Sequence, residues 1–209
     1  MASIQQFDGK QVTPFYGFRH PLSNFHYSPL VKDGKSFSCV EQCYVFKKCG
    51  YFGDYRRQRI VLKHRMTPAA MKNLGKHIRN FDNRKWEGVK VKIMAEILEE
   101  KYNQNPHLSR FLLGTGHNIL IEANKFDSFW GAGASFEEIK KGKVWSGKNV
   151  MGILLMEVRM NIRRRKPKFP GKCDSLEKLH EYRVEQKLEE LNSIEGKVTE
   201  EFKQLSLKE

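Results

Sequence analysis

Glu41 and Lys48 stand seven residues apart in "SCVEQCYVFKKCGYFGD", a stretch whose apolar pattern reads as an amphipathic helix. Seven residues are about two helical turns, so the two side chains share a face and lie roughly 10 Å apart along the axis. That is too far for a simple salt bridge. It suits a pair flanking a ligand, with an amine at one end and a carboxylate at the other. A structural explanation fits the same residues: Ser38 and Glu41 have capping-box spacing, and Lys48 beside Lys47 has the look of a solvated lysine. A second constellation lies in "NKFDSFWGAGASFEEIKKGKVWSGKNVMG". Trp130, Gly131 and Gly133 combine a flat aromatic with residues that let a backbone approach closely, which suits a nucleotide base or a sugar. Gly147, Lys148 and Asn149 precede a helix whose first N–H groups and dipole suit a phosphate. Asp127 offers an acid, a base or a hydroxyl acceptor. The plainer alternative is a tight loop with Trp130 in the core and Asp127 as a turn residue.

Other chemistries find less support. The chain has no Walker A motif, no dinucleotide fingerprint, no HExxH and no visible triad. Cys39, Cys43 and Cys49 are close in sequence but lack the partners of a tetrahedral site, so neither a metal nor a redox cofactor is expected. "RRRKPK", Arg163 to Lys168, fits a nucleic-acid patch, a nuclear address or a helix end that complements its dipole.

The elements that must position these residues follow from local signals. Val12 to Phe37, punctuated by Pro14, Pro21, Pro29 and Gly34, predicts short strands and turns. Helices are expected from Ser38, from Asp54, and from Thr67 with Pro68 at the first helical position. Asp82 is placed to cap one long helix carrying Trp86, Val89, Ile93, Ile97 and Leu98 on its apolar face. Asn105 and Pro106 start a short helix closed by Gly114, "NILIEA" reads as a buried strand, and residues 124–147 read as a glycine-rich loop. "KNVMGILLMEVRMNIRRRK" then predicts an apolar helix with a basic end. The expected organisation is an α+β, mostly helical domain over 1–166, a linker over 167–173 and a C-terminal helical extension over 174–209. The extension is expected to pack in cis, with pairing between chains as the alternative.

Bulk composition narrows the class of partner. The 209 residues are 39% hydrophobic and carry a formal net charge of +14. Residues 174–209 hold ten acidic and six basic side chains, which leaves +18 on the preceding body. Such a body attracts phosphates and favours nucleic acid or phosphorylated ligands. No apolar run approaches the roughly 18 to 20 residues of a membrane span, and no membrane partner is expected. The N-terminus lacks the features of a secretory signal, so a reducing compartment is expected, cytoplasmic or, in a eukaryote, nuclear.

Taken in order, "LSNF", "VEQCYVFKKCGYFGD", "LGKHIRNFDNRKW", "KYNQNPHLSRFLLGTG", "EANKFDSFWGAG" and "WSGKNVMGILLMEVR" resemble the NADAR family, also called YbiA-like, over about Phe15 to Arg159. The resemblance implies a compact, mostly helical α+β fold and hydrolysis of N-glycosidic bonds between ribose and a base. Two substrate classes go with it: ADP-ribose on guanine in nucleic acid, and ribosylamino pyrimidine phosphates of early riboflavin synthesis. It also implies that Lys48 forms a Schiff base with the opened sugar, with Glu41 or Asp127 as the acid. Asn24, Tyr44, Trp86, Trp130, Gly131, Gly133 and Asn149 would bind substrate by the same resemblance. Gln42 and Cys43 stand where many relatives carry histidine and tyrosine, with little effect expected on the chemistry. The basic body favours ADP-ribosylated nucleic acid over a small riboflavin precursor, and a non-catalytic ADP-ribose-binding module is the alternative outside enzymes.

Overall fold

The computed structural model describes residues 11–63, 66–142 and 145–165. They form an α+β fold, mostly helical with short strands. In chain order the elements are β1 (Val12–Phe15), β2 (Leu30–Lys32), β3 (Lys35–Phe37), α1 (Val40–Tyr51), α2 (Tyr55–Val61), α3 (Pro68–Lys76) and α4 (Asn83–Glu87). There follow α5 (Lys90–Gln104), α6 (Pro106–Gly114), β4 (Ile119–Glu122), α7 (Phe136–Lys140) and α8 (Val150–Arg165). The linker and C-terminal extension expected over 167–209 lie outside the described residues.

Strand β1 pairs in parallel with β4, Val12 opposite Ile119 and Phe15 opposite Glu122. Ile119, Leu120 and Ile121 are buried, as a continuous apolar run covered on both faces requires. Helix α8 packs directly on β4: a Cβ at Gly152 would run into the Leu120 carbonyl, so only glycine allows that approach. Strands β2 and β3 form an antiparallel hairpin through Asp33 and Gly34, both left-handed with φ of 51° and 67°. Two positive φ values in a two-residue loop give the turn whose twist matches its strands, and Asp-Gly supplies them cheaply.

Helix α1 lies at the centre, against α2, α3 and α5. Its Val40, Cys43 and Tyr44 enter a core shared with Phe37, Trp86, Ile97 and Leu98. Its Val45 and Cys49 enter a smaller cluster with Val61 and Ile78. Burying side chains the size of Ile97 and Leu98 contributes roughly 1.5–3 kcal/mol each. The Ser38–Glu41 capping box does not form. Cys39 is the N-cap, and Ser38 donates instead through its N–H (2.6 Å) and hydroxyl (2.9 Å) to Gln42 Oε1. Gln42 Nε2 in turn donates to the Val61 carbonyl at 2.7 Å, tying the start of α1 to the end of α2. The Glu41 carboxyl is thereby free for another task.

Two expectations are corrected. The long helix from Asp82 is two helices: Asp82 caps α4 through the Lys85 N–H, and the chain breaks at Gly88 and Val89 before α5. Glycine is a weak helix former, so the break costs little. It lets Trp86 on α4 and Lys90 on α5 both approach Lys48. The segment 124–147 is not all loop, because Ser135 and Glu138 form a capping box that starts α7.

Candidate active site

Glu41, on the first turn of α1, is surrounded by protein on most sides yet stays partly open to solvent, so its carboxyl lies in a concavity. Burial pushes its pKa up to about 7, and the nearby Asp127 charge acts in the same direction against Lys72 and Lys48. Two turns later Lys48 projects from the same face. Its Nζ donates to the Gly75 carbonyl at the end of α3 (3.0 Å) and sits 4.2 Å from the Phe81 ring centre and 5.5 Å from that of Trp86. Burial lowers the Lys48 pKa, and the Lys90 ammonium adds to this while Cys49 and Glu41 oppose it. One helix face thus carries an acid whose pKa is raised to about 7 and an amine whose pKa is lowered.

Aromatic rings wall the space around the pair. Trp86 is buried, with its ring 5.4 Å from Tyr44, 5.9 Å from Tyr51 and 6.1 Å from Phe52. Trp86 is therefore a wall beneath Lys48. Half-buried Trp130 meets Tyr44 edge-on at 5.9 Å, and Tyr44 is held firmly protonated, first by burial and then by the Glu41 charge. Asn24 enters from the loop before β2: its carbonyl accepts the Glu41 N–H (3.1 Å), and its buried Oδ1 has no hydrogen-bond partner. Lys101 holds that loop from below, donating to the carbonyls of Pro21 (2.7 Å) and Ser23 (3.0 Å).

The 124–149 segment closes the site, by a different route from the phosphate cradle expected of it. Asp127 Oδ1 accepts the N–H groups of Phe129 (3.0 Å) and Trp130 (2.8 Å), so it shapes the loop as well as charging the site. At Gly131 a Cβ would lie 2.8 Å from the Asp127 carbonyl and 3.1 Å from that of Glu122, and Gly133 has φ 64°. Both glycines serve loop closure. The N–H groups of Gly147, Lys148, Asn149, Val150 and Met151 donate to carbonyls of Ala132, Ser128, Gly131, Phe129 and Trp130 respectively. The start of α8 is thus satisfied by this loop, and its N–H groups are not free to hold a phosphate. Asn149, with φ 50°, spends its side chain on β4, donating to the Leu120 carbonyl (2.8 Å) and accepting the Glu122 N–H (2.9 Å).

Sequence reasoning passed over Glu122, Lys72, Phe81 and Lys90. Glu122 closes β4 with a buried Oε2 that lacks a partner, and burial, with Asp127 and Glu41 behind it, raises its pKa to about 7. An acidic residue ending an otherwise apolar strand was the available signal. Lys90 is buried, pairs with Glu87 at 2.6 Å, and lies 3.2 Å from the Phe129 ring centre. Nothing local marks Lys72, Phe81 or Lys90, since folding alone brings them to the site. Together Glu41 and Lys48 can protonate a leaving group and attack an electrophilic carbon within a few ångströms of aromatic walls.

Comparison with known proteins finds relatives over most of the chain. The NADAR domain matches residues 14–163. N-glycosidase R617 of Acanthamoeba polyphaga mimivirus is 34% identical over 123 residues, spanning 57% of this chain and 71% of that protein. N-glycosidase YbiA of Escherichia coli is 31% identical over 138 residues, 66% of this chain and 78% of that protein. The NMR structure of E. coli YbiA matches the fold with a TM-score of 0.64 at 25% identity, covering 79% of this chain and 92% of that one. Riboflavin biosynthesis protein VVA0006 of Vibrio vulnificus is 30% identical over 146 residues, which are 70% of this chain and 36% of that protein.

Proposed function

The chain belongs to the NADAR domain family, and we propose that this N-glycosidase hydrolyses the bond between ADP-ribose and guanine in modified DNA or RNA through a Schiff base on Lys48. The observation that carries the reading is the opposed displacement of two groups on one helix face: burial raises the Glu41 pKa to about 7 and lowers that of Lys48. An ordinary surface pair would show the reverse. In the first step the Glu41 carboxyl gives its proton to guanine as the C1–N bond breaks, with the bonding electrons leaving on the base. The positive charge developing on the sugar is met by the new Glu41 carboxylate and by Asp127. The Lys48 lone pair forms a bond to C1, Nζ gives a proton to the Glu41 carboxylate, and Glu41 passes it to the ring oxygen, which leaves C1 as a hydroxyl while the protonated imine forms. Water then adds to C1, and Lys48 departs to leave free ADP-ribose.

The polynucleotide substrate is supported by charge and by exposed rings. Net charge is +14, and two exposed cation–aromatic pairs stand on the surface: Arg19 5.5 Å from the Phe18 ring centre, and Lys125 4.8 Å from that of Phe126. Basic surface interleaved with aromatics binds single strands through phosphates and stacking. The name carried by the Vibrio relative favours a second reading, a ribosylamino pyrimidine phosphate of riboflavin synthesis.

The test incubates wild type and Lys48→Ala with an oligonucleotide bearing ADP-ribosyl guanine, then traps with borohydride and reads mass. Release of unmodified oligonucleotide with a reduced sugar adduct on Lys48 of the wild type is expected, together with binding that weakens steeply from low to moderate salt. Turnover of the pyrimidine phosphate alone would transfer the reading to the riboflavin intermediate. Binding without turnover of either substrate would make this a recognition module.

A further inference from the structure

The stretch 76–85, "KHIRNFDNRK", carries four lysines and arginines against one aspartate, and the site described above uses none of those four charges. Lys76 ends α3, Arg79 lies in the turn that follows, and Arg84 and Lys85 stand on α4. All four residues are exposed. Among the described residues none of them forms an ion pair with a carboxylate. The acids close by are engaged elsewhere: Asp82 caps α4 through the Lys85 N–H, buried Asp54 holds Arg57, and Glu87 holds Lys90. The face therefore presents positive charge that nothing in the fold neutralises, and such a surface draws polyanions.

The same stretch touches the reaction centre. Gly75, beside Lys76, accepts the Lys48 Nζ hydrogen bond through its carbonyl (3.0 Å), and the Phe81 ring centre lies 4.2 Å from that Nζ. Phe52 lies 5.1 Å from Phe81, and Tyr51 5.0 Å from Phe52, centre to centre. Phe81 is 40% and Tyr51 46% exposed, so this row of rings opens to solvent, while Trp86 lies buried 6.1 Å from Phe52 and 5.9 Å from Tyr51. Asn80 takes a left-handed φ of 55°, which asparagine tolerates, and turns the chain sharply between Arg79 and Phe81. Asp54 fixes that turn by accepting the Arg79 N–H at 2.9 Å. A buried acid thus holds in place a turn whose cation and ring are exposed.

We propose that this face seats the single strand that carries the modified guanine, with phosphates on Arg79, Arg84 and Lys85 and a base next to the guanine stacked on Tyr51. The inference rests on the polynucleotide reading above and gives it a surface joined to Lys48. Every base offers a flat face to a ring and every nucleotide adds a phosphate, so exposed cations and rings on one face are complementary to a strand. A ligand with a single phosphate leaves most of these charges unanswered. The guanine is bonded both to the strand and to the sugar that Lys48 attacks. The strand must therefore pass close to Lys48, and the row of rings begins there.

The experiment measures, by fluorescence anisotropy over a range of salt, binding of a labelled unmodified single-stranded oligonucleotide and of labelled inorganic polyphosphate. The proteins are wild type, Tyr51→Ala, the triple variant Arg79→Gln, Arg84→Gln, Lys85→Gln, and a control with the same loss of charge elsewhere, Lys35→Gln, Arg110→Gln, Lys141→Gln. The control residues are exposed on β3, on α6 and just after α7. Hydrolysis of ADP-ribosyl guanine is followed both in an oligonucleotide and as the free nucleoside. In the triple variant the slope of log affinity against log salt should fall by about 2 and the low-salt affinity by about tenfold or more, the effect of three lost phosphate contacts. The control should keep the wild-type slope. Tyr51→Ala should lose about tenfold of the oligonucleotide affinity and none of that for polyphosphate, which has charge but no bases. The triple variant should also raise KM for the oligonucleotide and hydrolyse the nucleoside as wild type does. Equal losses in the triple variant and the control would overturn the interface and leave attraction by net charge alone. A Tyr51→Ala protein that binds the oligonucleotide like wild type would overturn it too. Face-dependent binding without hydrolysis of either substrate would uphold the interface and remove the proposed reaction, whereas oligonucleotide hydrolysis unchanged in the triple variant at every salt would keep the reaction and remove the interface.

Discussion

Replacing Glu41 by glutamine should make the protein more stable at pH 8 and leave it nearly unchanged at pH 5. The folded state raises the Glu41 pKa from its ordinary 4.5 to about 7, so the native protein binds this proton more tightly than the unfolded chain. Stability contributed by that proton is present below the unfolded pKa and is lost as pH rises through the folded one. That displacement corresponds to about 3 kcal/mol, and partial access to solvent reduces it to about 2 kcal/mol. Glutamine keeps the shape and carries no charge, so it escapes this penalty, and its neutrality also relieves Glu122, whose pKa Glu41 helps to raise. For a chain of this size the gain at pH 8 is about 4–8 °C in Tm. Thermal unfolding of both proteins at pH 5 and pH 8 is the assay, and the Gln variant should also lose about 10²–10⁴-fold in turnover through loss of the acid. A variant no more stable than wild type at pH 8, or one stabilised equally at both pH values, would refute a buried Glu41 carboxylate with a raised pKa.

Lys90→Met removes a cation that helps depress Lys48 and leaves the exposed Glu87 unpaired in water, so the rising limb of kcat/KM against pH should move to higher pH while the plateau rate persists; an unmoved limb would dismiss the coupling. Gly152→Ala drives a methyl into the Leu120 carbonyl and should cost about 3 kcal/mol in urea unfolding, whereas Gly114→Ala, with open space around it, should cost little. Asp54 caps α2 through the Arg57 N–H (3.1 Å), pairs with the Arg57 guanidinium (2.8 Å) and accepts the Arg79 N–H (2.9 Å) two residues before Phe81. Burial opposes its ionisation, yet these bonds hold its pKa down to about 2, so its contribution is fully present above its unfolded pKa and fades only as pH falls toward 2. Asp54→Ala should therefore cost about 2 kcal/mol at neutral pH and, by loosening Phe81 over Lys48, lower turnover; denaturation midpoints and kcat at pH 7 check both.

Much of the architecture was legible because it depends on neighbours in sequence. Asp54 and Thr67 cap the helices expected of them, Pro106 and Gly114 bound α6, and the stretch "NILIEA" contains the buried β4. Capping, proline geometry and periodicity act within one turn of helix or one strand, and can be read there. The pairing of Glu41 with Lys48 is of the same kind, since a helix of known pitch sets it. The failures also have a local form. Gly88 broke a helix whose apolar spacing ran straight through it, and the 124–147 segment hid α7 because its glycines outweighed the Ser135–Glu138 cap.

What the residues mean chemically was decided by folding. The capping-box spacing of Ser38 and Glu41 is real in the sequence, but Gln42 reaches Val61 on the neighbouring helix and takes the Ser38 donors, which leaves Glu41 to the site. Glycine, lysine and asparagine before α8 looked like a phosphate cradle, until the 128–132 carbonyls filled its N–H groups. Glu122, Lys72, Phe81 and Lys90 come from four separate elements or loops, and no spacing announces that they meet around α1. Helices, caps and the reach of one side chain along its own helix are set by short-range geometry, so the sequence alone determined them. Burial, and the pKa values that follow from it, depend on which distant surfaces displace water from a group, and only the tertiary structure decides that.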